Sequence, residues 1–198
     1  MRSKGKRLRR SGLIGYFPYV AHRLFIAIRP PEAVRDRLVD AMEGIEGARW
    51  VDEENLHLTL RFIGEVERPA ANDLAAALAR IAWPCFELRI EGVGHFTRKS
   101  QATALWARVP ASDPLEGLRQ KVEAACEAAG LGRETRRFTP HVTVARLYRS
   151  SGPIGGWLSA FGAMHAGQWR VADFILYESH LGHTGAFYEP VTMFALRD

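Results

Sequence analysis

Histidine and threonine recur at one spacing in two places: His57-Leu58-Thr59-Leu60 and, 84 residues on, His141-Val142-Thr143-Val144. Successive side chains of a strand point to opposite faces, so His57 and Thr59 share one face while Leu58, Leu60 and Phe62 share the other. His141 and Thr143 fall the same way against Val142 and Val144. An imidazole and a hydroxyl held two residues apart make a handle for an anion, and two such handles suggest one site with two sides. Two histidines and two hydroxyls suit phosphoryl or acyl transfer by general acid and base. Unperturbed imidazole titrates at about 6.5, so near neutrality one ring can accept a proton while the other donates one. A cyclic phosphodiester needs that division: a base to activate water and an acid to protonate the departing ribose oxygen. The hydroxyls of Thr59 and Thr143 would donate to the non-bridging oxygens, and no metal or other cofactor is required.

Alternation of polar and apolar residues is also what any solvated sheet face shows, so either tetrapeptide alone says little. The weight comes from the flanks, which repeat with the motifs. Leu24 to Ile28 is an apolar run of buried-strand length, followed by Pro30-Pro31 at a helix start and by Val34, Leu38, Met42 and Ile45 at helical spacing. The His57 strand closes at Gly64; Leu74, Leu78 and Ile81 mark a second helix, and Phe86 to Ile90 alternates as a strand. The order then returns: strand Leu105 to Val109, a helix opened by Asp113-Pro114 with Leu115, Leu118, Val122 and Cys126 on one face, and the His141 strand. A short helix from Ile154 to Phe161, one long strand from Trp169 to Tyr177 and a last strand from Tyr188 to Leu196 complete it. Leu24 to His57 is 33 residues and Leu105 to His141 is 36, spacings that support an internal duplication. A duplicated α+β unit places equivalent strands about a pseudo-twofold axis, with the two His-x-Thr faces turned toward a shared cleft. Alternating strands favour antiparallel or mixed pairing over an all-parallel sheet.

At 198 residues and 47% hydrophobic content the chain suits one domain or two packed lobes with a real core. No apolar run approaches a membrane span and no secretory signal core stands at the N-terminus, so a cytoplasmic location is expected. The net charge of +5 is local: Arg2, Lys4, Lys6, Arg7, Arg9 and Arg10 face no acid among the first ten residues, and the rest of the chain stands at −1. Residues 1–22 read as a basic, flexible extension and 23–198 as a single bilobal domain with two pseudo-equivalent halves. Cys85 and Cys126 read as separate buried thiols rather than a disulfide framework. His180 and His183 form an HxxH pair without a third ligand spacing, which argues against zinc; His22, His95 and His165 look incidental.

These residues also carry a resemblance. Leu24-Phe25-Ile26-Ala27-Ile28, Arg49-Trp50-Val51, Glu54-Asn55-Leu56-His57-Leu58-Thr59-Leu60-Arg61-Phe62-Ile63-Gly64 and Pro140-His141-Val142-Thr143-Val144-Ala145-Arg146 are similar to the two-histidine phosphoesterases. More narrowly, with Leu176-Tyr177-Glu178-Ser179 and Gly185-Ala186-Phe187-Tyr188, the chain resembles the RNA 2′,3′-cyclic phosphodiesterases, first named 2′-5′ RNA ligases. The resemblance implies a bilobal α+β fold of mostly antiparallel sheets flanked by helices, with the site between lobes. It implies hydrolysis of an RNA 2′,3′-cyclic phosphate end to a 2′-phosphate, His57 as proton donor, His141 as proton acceptor, and Thr59 and Thr143 on the phosphate. Ends derived from tRNA are among the candidate substrates, and neither a membrane nor a protein partner is implied.

Arg146 follows the second motif where that family often has a basic residue, yet its odd offset from His141 turns it away in a regular strand unless a bulge redirects it. Arg61 has the right parity with His57 and Thr59, although an exposed surface arginine is the commoner explanation. Trp50, Phe96, Phe138 and Tyr148 are candidates for stacking on a base, with core packing as the alternative for each. An RNA-end binding module without turnover, and the same chemistry on a 2′,5′-linked or ADP-ribose cyclic phosphate, remain open from sequence.

Overall fold

The computed structural model describes residues 21–182 and 185–198. The basic segment 1–20, and with it nearly all of the expected extension, lies outside the described residues. The first strand already includes His22, one residue before the expected domain start at 23.

The first half runs β1 (His22–Ile28), α1 (Glu32–Val39), β2 (Arg49–Trp50), a single 3-10 turn (Glu53–Asn55), β3 (Leu58–Val66), α2 (Arg68–Leu78), β4 (Phe86–Arg89) and β5 (Val93–Arg98). The second runs β6 (Gln101–Arg108), α3 (Asp113–Ala128), β7 (His141–Arg146), α4 (Gly155–Phe161), β8 (Gln168–Val171) and β9 (Asp173–Gly182), followed by β10 (Gly185–Ala195). The α+β duplication expected from the spacing is therefore present in its order of elements. Two expectations change. The long strand Trp169–Tyr177 is two strands broken at Ala172, with β8 pairing β4 and β9 pairing β1 and β10. Strand β5, which alternates weakly, was not foreseen; it is fixed by its antiparallel register against β6, Val93 opposite Ala107 to Arg98 opposite Gln101.

One eight-stranded sheet runs β10-β9-β1-β3-β7-β6-β5, with β2 on β7, and β4 and β8 form a separate pair. Its centre is narrow: β3 and β7 meet antiparallel through the single pair Leu58 and Val142. On either side lies a lobe, and each lobe borrows from the other half. Strand β5, at the end of the first half, pairs with β6 of the second; β9, at the end of the second, pairs with β1 of the first. Neither half of the sequence is a lobe by itself.

Leu24, Ile26 and Ile28 of β1 join Leu58, Leu74, Leu78, Leu115, Leu118, Val122, Val142 and Val144 in one large core between sheet and helices. Phe25 and Ala27 turn to the other face and make a small second cluster with Ile175 and Tyr177. Strand β1 is covered on both faces, which is why it reads as an unbroken apolar run instead of alternating. Leu74 and Leu78 on α2 are fully buried, and truncating either to alanine removes contacts typically worth about 2–5 kcal/mol.

Candidate active site

His57 immediately precedes β3 and His141 opens β7, the two strands that meet at the centre of the sheet. Antiparallel register through Leu58 and Val142 sets each histidine across from the threonine of the other motif. His57, Thr59, His141, Thr143 and Arg146 line one cleft of about 540 Å³. Arg23, Arg49 and Phe62 line it too, together with Ser179 and Tyr188 of the β9–β10 hairpin.

The two imidazoles are held alike. Nδ1 of His57 lies 2.7 Å from the carbonyl oxygen of Asn55, and Nδ1 of His141 lies 2.6 Å from that of Thr139. A carbonyl oxygen only accepts, so each Nδ1 carries a hydrogen and each Nε2 is left for chemistry. Aromatic rings steady both. Phe25 lies 4.8 Å and Tyr188 5.2 Å from the His57 ring, centroid to centroid. Phe96 lies 4.9 Å and Trp106 6.0 Å from that of His141. Burial pulls the His57 imidazole down to about 4; the nearby His141 and Arg146 add to the fall, and the Asn55 carbonyl opposes it. Burial likewise lowers His141, with Arg146 contributing and the Thr139 carbonyl opposing. Both rings are therefore neutral at pH 7 when the cleft is empty, and a bound anion would raise both.

A pair of matching bulges decides which residues follow the motifs into the cleft. Between β1 and β3 the register steps from Ile26 opposite Arg61 to Ala27 opposite Thr59, leaving Leu60 as an extra residue. Between β6 and β7 it steps from Leu105 opposite Ala145 to Trp106 opposite Thr143, leaving Val144 as its counterpart. Each bulge reverses the side-chain parity beyond it. Arg146 is thereby brought back to the face of His141 and Thr143, although its odd offset predicts the opposite face in a regular strand. The same step brings Phe62, expected on the apolar side, into the cleft and removes Arg61 from it. Arg61 is neither at the site nor on the surface: its side chain is 10% exposed and pairs with Glu123 and Glu134.

Of the aromatic candidates, Trp50 lines the cleft and Phe96 backs His141. Phe138 packs on the core under the Arg119 guanidinium, and Tyr148 is half exposed over a separate surface depression. His22 is not incidental, since it is buried with Nδ1 2.8 Å from Glu178 Oε1. His180 contacts Glu189 and stacks on Phe187, whereas His183 lies outside the described residues. Among the described residues no group of three or more His, Cys, Asp or Glu is placed to hold a metal ion. Arg23, Phe25, Phe62 and Tyr188 were missed as site residues. Except for the bulged Phe62, they come from β1 and β10, whose place on the His57 side of the sheet no local pattern announces.

The sequence profile of the 2′-5′ RNA ligase superfamily matches residues 30–177. The chain belongs to this superfamily. It is a phosphodiesterase by kinship with relatives such as the RNA 2′,3′-cyclic phosphodiesterase of Thermus thermophilus, 35% identical over 186 residues, covering 88% of this chain and 90% of that one. Among solved structures, Thermus thermophilus TT0787 is 29% identical with a TM-score of 0.74, covering 88% of this chain and 98% of that one. Escherichia coli LigT complexed with 3′-AMP is 26% identical with a TM-score of 0.73, covering 90% of this chain and all of the other. The antiparallel, two-lobed α+β fold expected from the sequence is the fold of this family. No helix among the described residues is long and apolar enough to cross a membrane.

Proposed function

We propose that this member of the superfamily hydrolyses an RNA 2′,3′-cyclic phosphate end to a 2′-phosphomonoester, with His57 as general acid and His141 as general base. The observation that carries this reading is the paired tethering of the two imidazoles by Asn55 and Thr139, which commits both Nε2 atoms to one cleft. His141 Nε2 takes a proton from water as its oxygen attacks phosphorus; the bond from phosphorus to O3′ breaks, and O3′ receives the proton of His57. The hydroxyls of Thr59 and Thr143 and the guanidinium of Arg146 hold the non-bridging oxygens, where charge develops. After each turnover His141 carries the extra proton and His57 has lost one, so solvent resets the pair.

The two sides of the cleft differ in a way that orients the substrate. Arg146 stands five residues after His141, and Phe62 stands five after His57, with the Arg23 guanidinium 5.5 Å from its ring. A cation suits the phosphate, and an exposed ring suits a base. The terminal base therefore rests on the Phe62 side. The relatives named above for this activity support RNA as the substrate, and a cytoplasmic site of action is consistent with RNA turnover.

The deciding experiment is incubation with a short RNA ending in a 2′,3′-cyclic phosphate, before and after exhaustive chelation. The expected product has gained one water, loses its phosphate to a general phosphatase, resists a 3′-specific one, and forms equally well with chelator present. Binding without turnover would leave an RNA-end binding module in place of the enzyme. Loss on chelation, restored by zinc or magnesium, would overturn the acid-base account.

A further inference from the structure

Arg61 sits on the strand that carries Thr59, yet its guanidinium reaches into the other half of the molecule. Nη1 lies 3.2 Å from Glu134 Oε2 and Nε lies 3.1 Å from Glu123 Oε2, and Nη2 donates to the carbonyl of Gly132. Glu123, on α3, is 8% exposed, and its Oε1 accepts the backbone N–H of Glu134 at 2.7 Å. Glu134, only partly buried, also accepts from Arg136, from its backbone N–H at 2.9 Å and from its exposed guanidinium at 2.6 Å. One buried cation and two carboxylates thus clamp residues 132–136, the start of the segment that connects α3 to β7. That segment ends at Thr139, whose carbonyl holds His141, and at Pro140, whose carbonyl accepts the N–H of Val109 at 3.3 Å.

Such a cluster is a poor choice for stability alone. Desolvating Arg61 and Glu123 costs several kcal/mol per ion before their attraction is counted, and apolar groups of the same volume often serve as well. What a charged fork does better is fix geometry, since a guanidinium engages its acceptors in set directions; here Nη1 and Nη2 are directed at Glu134 and Gly132, while Glu123 neutralises the cation as an ion pair without hydrogen-bond geometry. The register gives the clamp its meaning. The bulge at Leu60 that removes Arg61 from the cleft also aims it at the segment that delivers the other motif, while the equivalent residue of the second half is the small, buried Ala145.

We propose that Arg61 is a positioning residue: by clamping residues 132–136 onto the His57 strand, it sets the Thr139 carbonyl and hence the orientation of His141 relative to His57. The role in turnover rests on the function proposed above; the effect on His141 does not. Around His141 the charged and titratable neighbours are His57 across the cleft, Arg108 opposite it on β6, and Arg146 on its own strand, with Arg49 opposite Arg146. None of these changes when Arg61 is replaced.

The test uses Arg61→Lys and Arg61→Ala in the full chain. Lysine keeps the charge but cannot serve Gly132, Glu123 and Glu134 together, whereas alanine leaves the buried Glu123 without its cation and Glu134 with Arg136 alone, so thermal melts screen both and lysine is the variant expected to stay folded. In the ligand-free protein, NMR titration of the ring signals should show the His141 pKa falling in Arg61→Lys, because a loosened Thr139 carbonyl supports the imidazolium less, while His57 holds its value. With a mononucleotide 2′,3′-cyclic phosphate, kcat should fall by about 10- to 100-fold with KM within about twofold, as expected when a reacting group is misplaced and ground-state binding is not. A folded Arg61→Lys with both histidine pKa values and kcat unchanged overturns the proposal, as does an equal shift of both histidines. A selective His141 shift in a protein whose wild type turns nothing over would support the positioning role and overturn the proposed function.

Discussion

The His57 and His141 sides of the cleft are copies that agree at the imidazole and part company five residues later. Both rings give Nδ1 to the carbonyl two residues upstream, both lean on aromatic rings, and both motifs are followed by a bulge at the equivalent residue, Leu60 or Val144. Beyond the bulge one copy presents Arg146 and the other Phe62. Only the His57 side is walled by the β9–β10 hairpin, tied down where Asn55 Nδ2 donates to the carbonyl of Ala186 at 3.1 Å. Acid-base catalysis on a phosphodiester needs two similar proton carriers, which a duplicated scaffold supplies. It also needs a direction, which the proposed function draws from the positions where the copies differ.

Removing the shared part should have the largest effect. His57→Ala and His141→Ala should each lower kcat by about 10²- to 10⁴-fold, and the double variant should lose far less than the product of the two losses, because the groups act as a unit. Steady-state kinetics on the cyclic phosphate, with circular dichroism to verify folding, checks this; near wild-type turnover in either single variant would show that the copies do not form one site.

Arg146→Ala probes the difference. It should reduce kcat/KM by about 10²-fold, the usual loss for one donor to a developing oxyanion. It should also move the pH profile upward, because Arg146 helps hold both histidines down. Phe62→Ala, at the matching position, should instead raise KM by about 5- to 100-fold, a stacking loss of roughly 1–3 kcal/mol, and leave the pH profile in place. If both substitutions move the same parameter, the assignment of phosphate and base to opposite sides is wrong.

The pH dependence sharpens the point. In the empty cleft both imidazoles lose their protons below the ordinary value of 6.5, His57 at about 4. Above neutrality neither ring carries the acid proton, and once the pH falls below the lowered values of both rings no base remains. Hence kcat/KM should peak on the acidic side of neutrality and fall by about tenfold per pH unit on the outer limbs. The phosphate anion raises both rings once bound, so the bell for kcat should lie at higher pH. A kcat/KM still climbing at pH 8 would contradict the buried, cation-flanked setting of the pair.

The smallest effect should come from behind His141. Trp106, one of its flanking rings, fills the space over Gly94, where an added Cβ would lie 2.4 Å from the indole. Gly94→Ala should displace the indole and lower kcat several-fold, at a stability cost of about 1–3 kcal/mol for overpacking, readable from a thermal melt. A change of that size in KM alone would mean that Trp106 serves binding and not the imidazole.

The sequence by itself determined the pair of His-x-Thr motifs, the elements that carry them and their repetition. A period of two over His57 to Leu60 and over His141 to Val144, with helices opened by Pro30-Pro31 and Asp113-Pro114, is local information, written in side-chain alternation and backbone preference. Only the tertiary structure decided which neighbours those histidines have. Arg146, Phe62 and Arg61 each sit opposite to the face their parity predicts, because a bulge is a mismatch between partner strands and leaves no mark on either strand read alone. For the same reason the exchange of β5 and β9 between lobes, which brings Phe96 to His141 and the β9–β10 hairpin with Tyr188 to His57, was illegible: strand order is set by which apolar faces bury together, and no spacing along one chain encodes it.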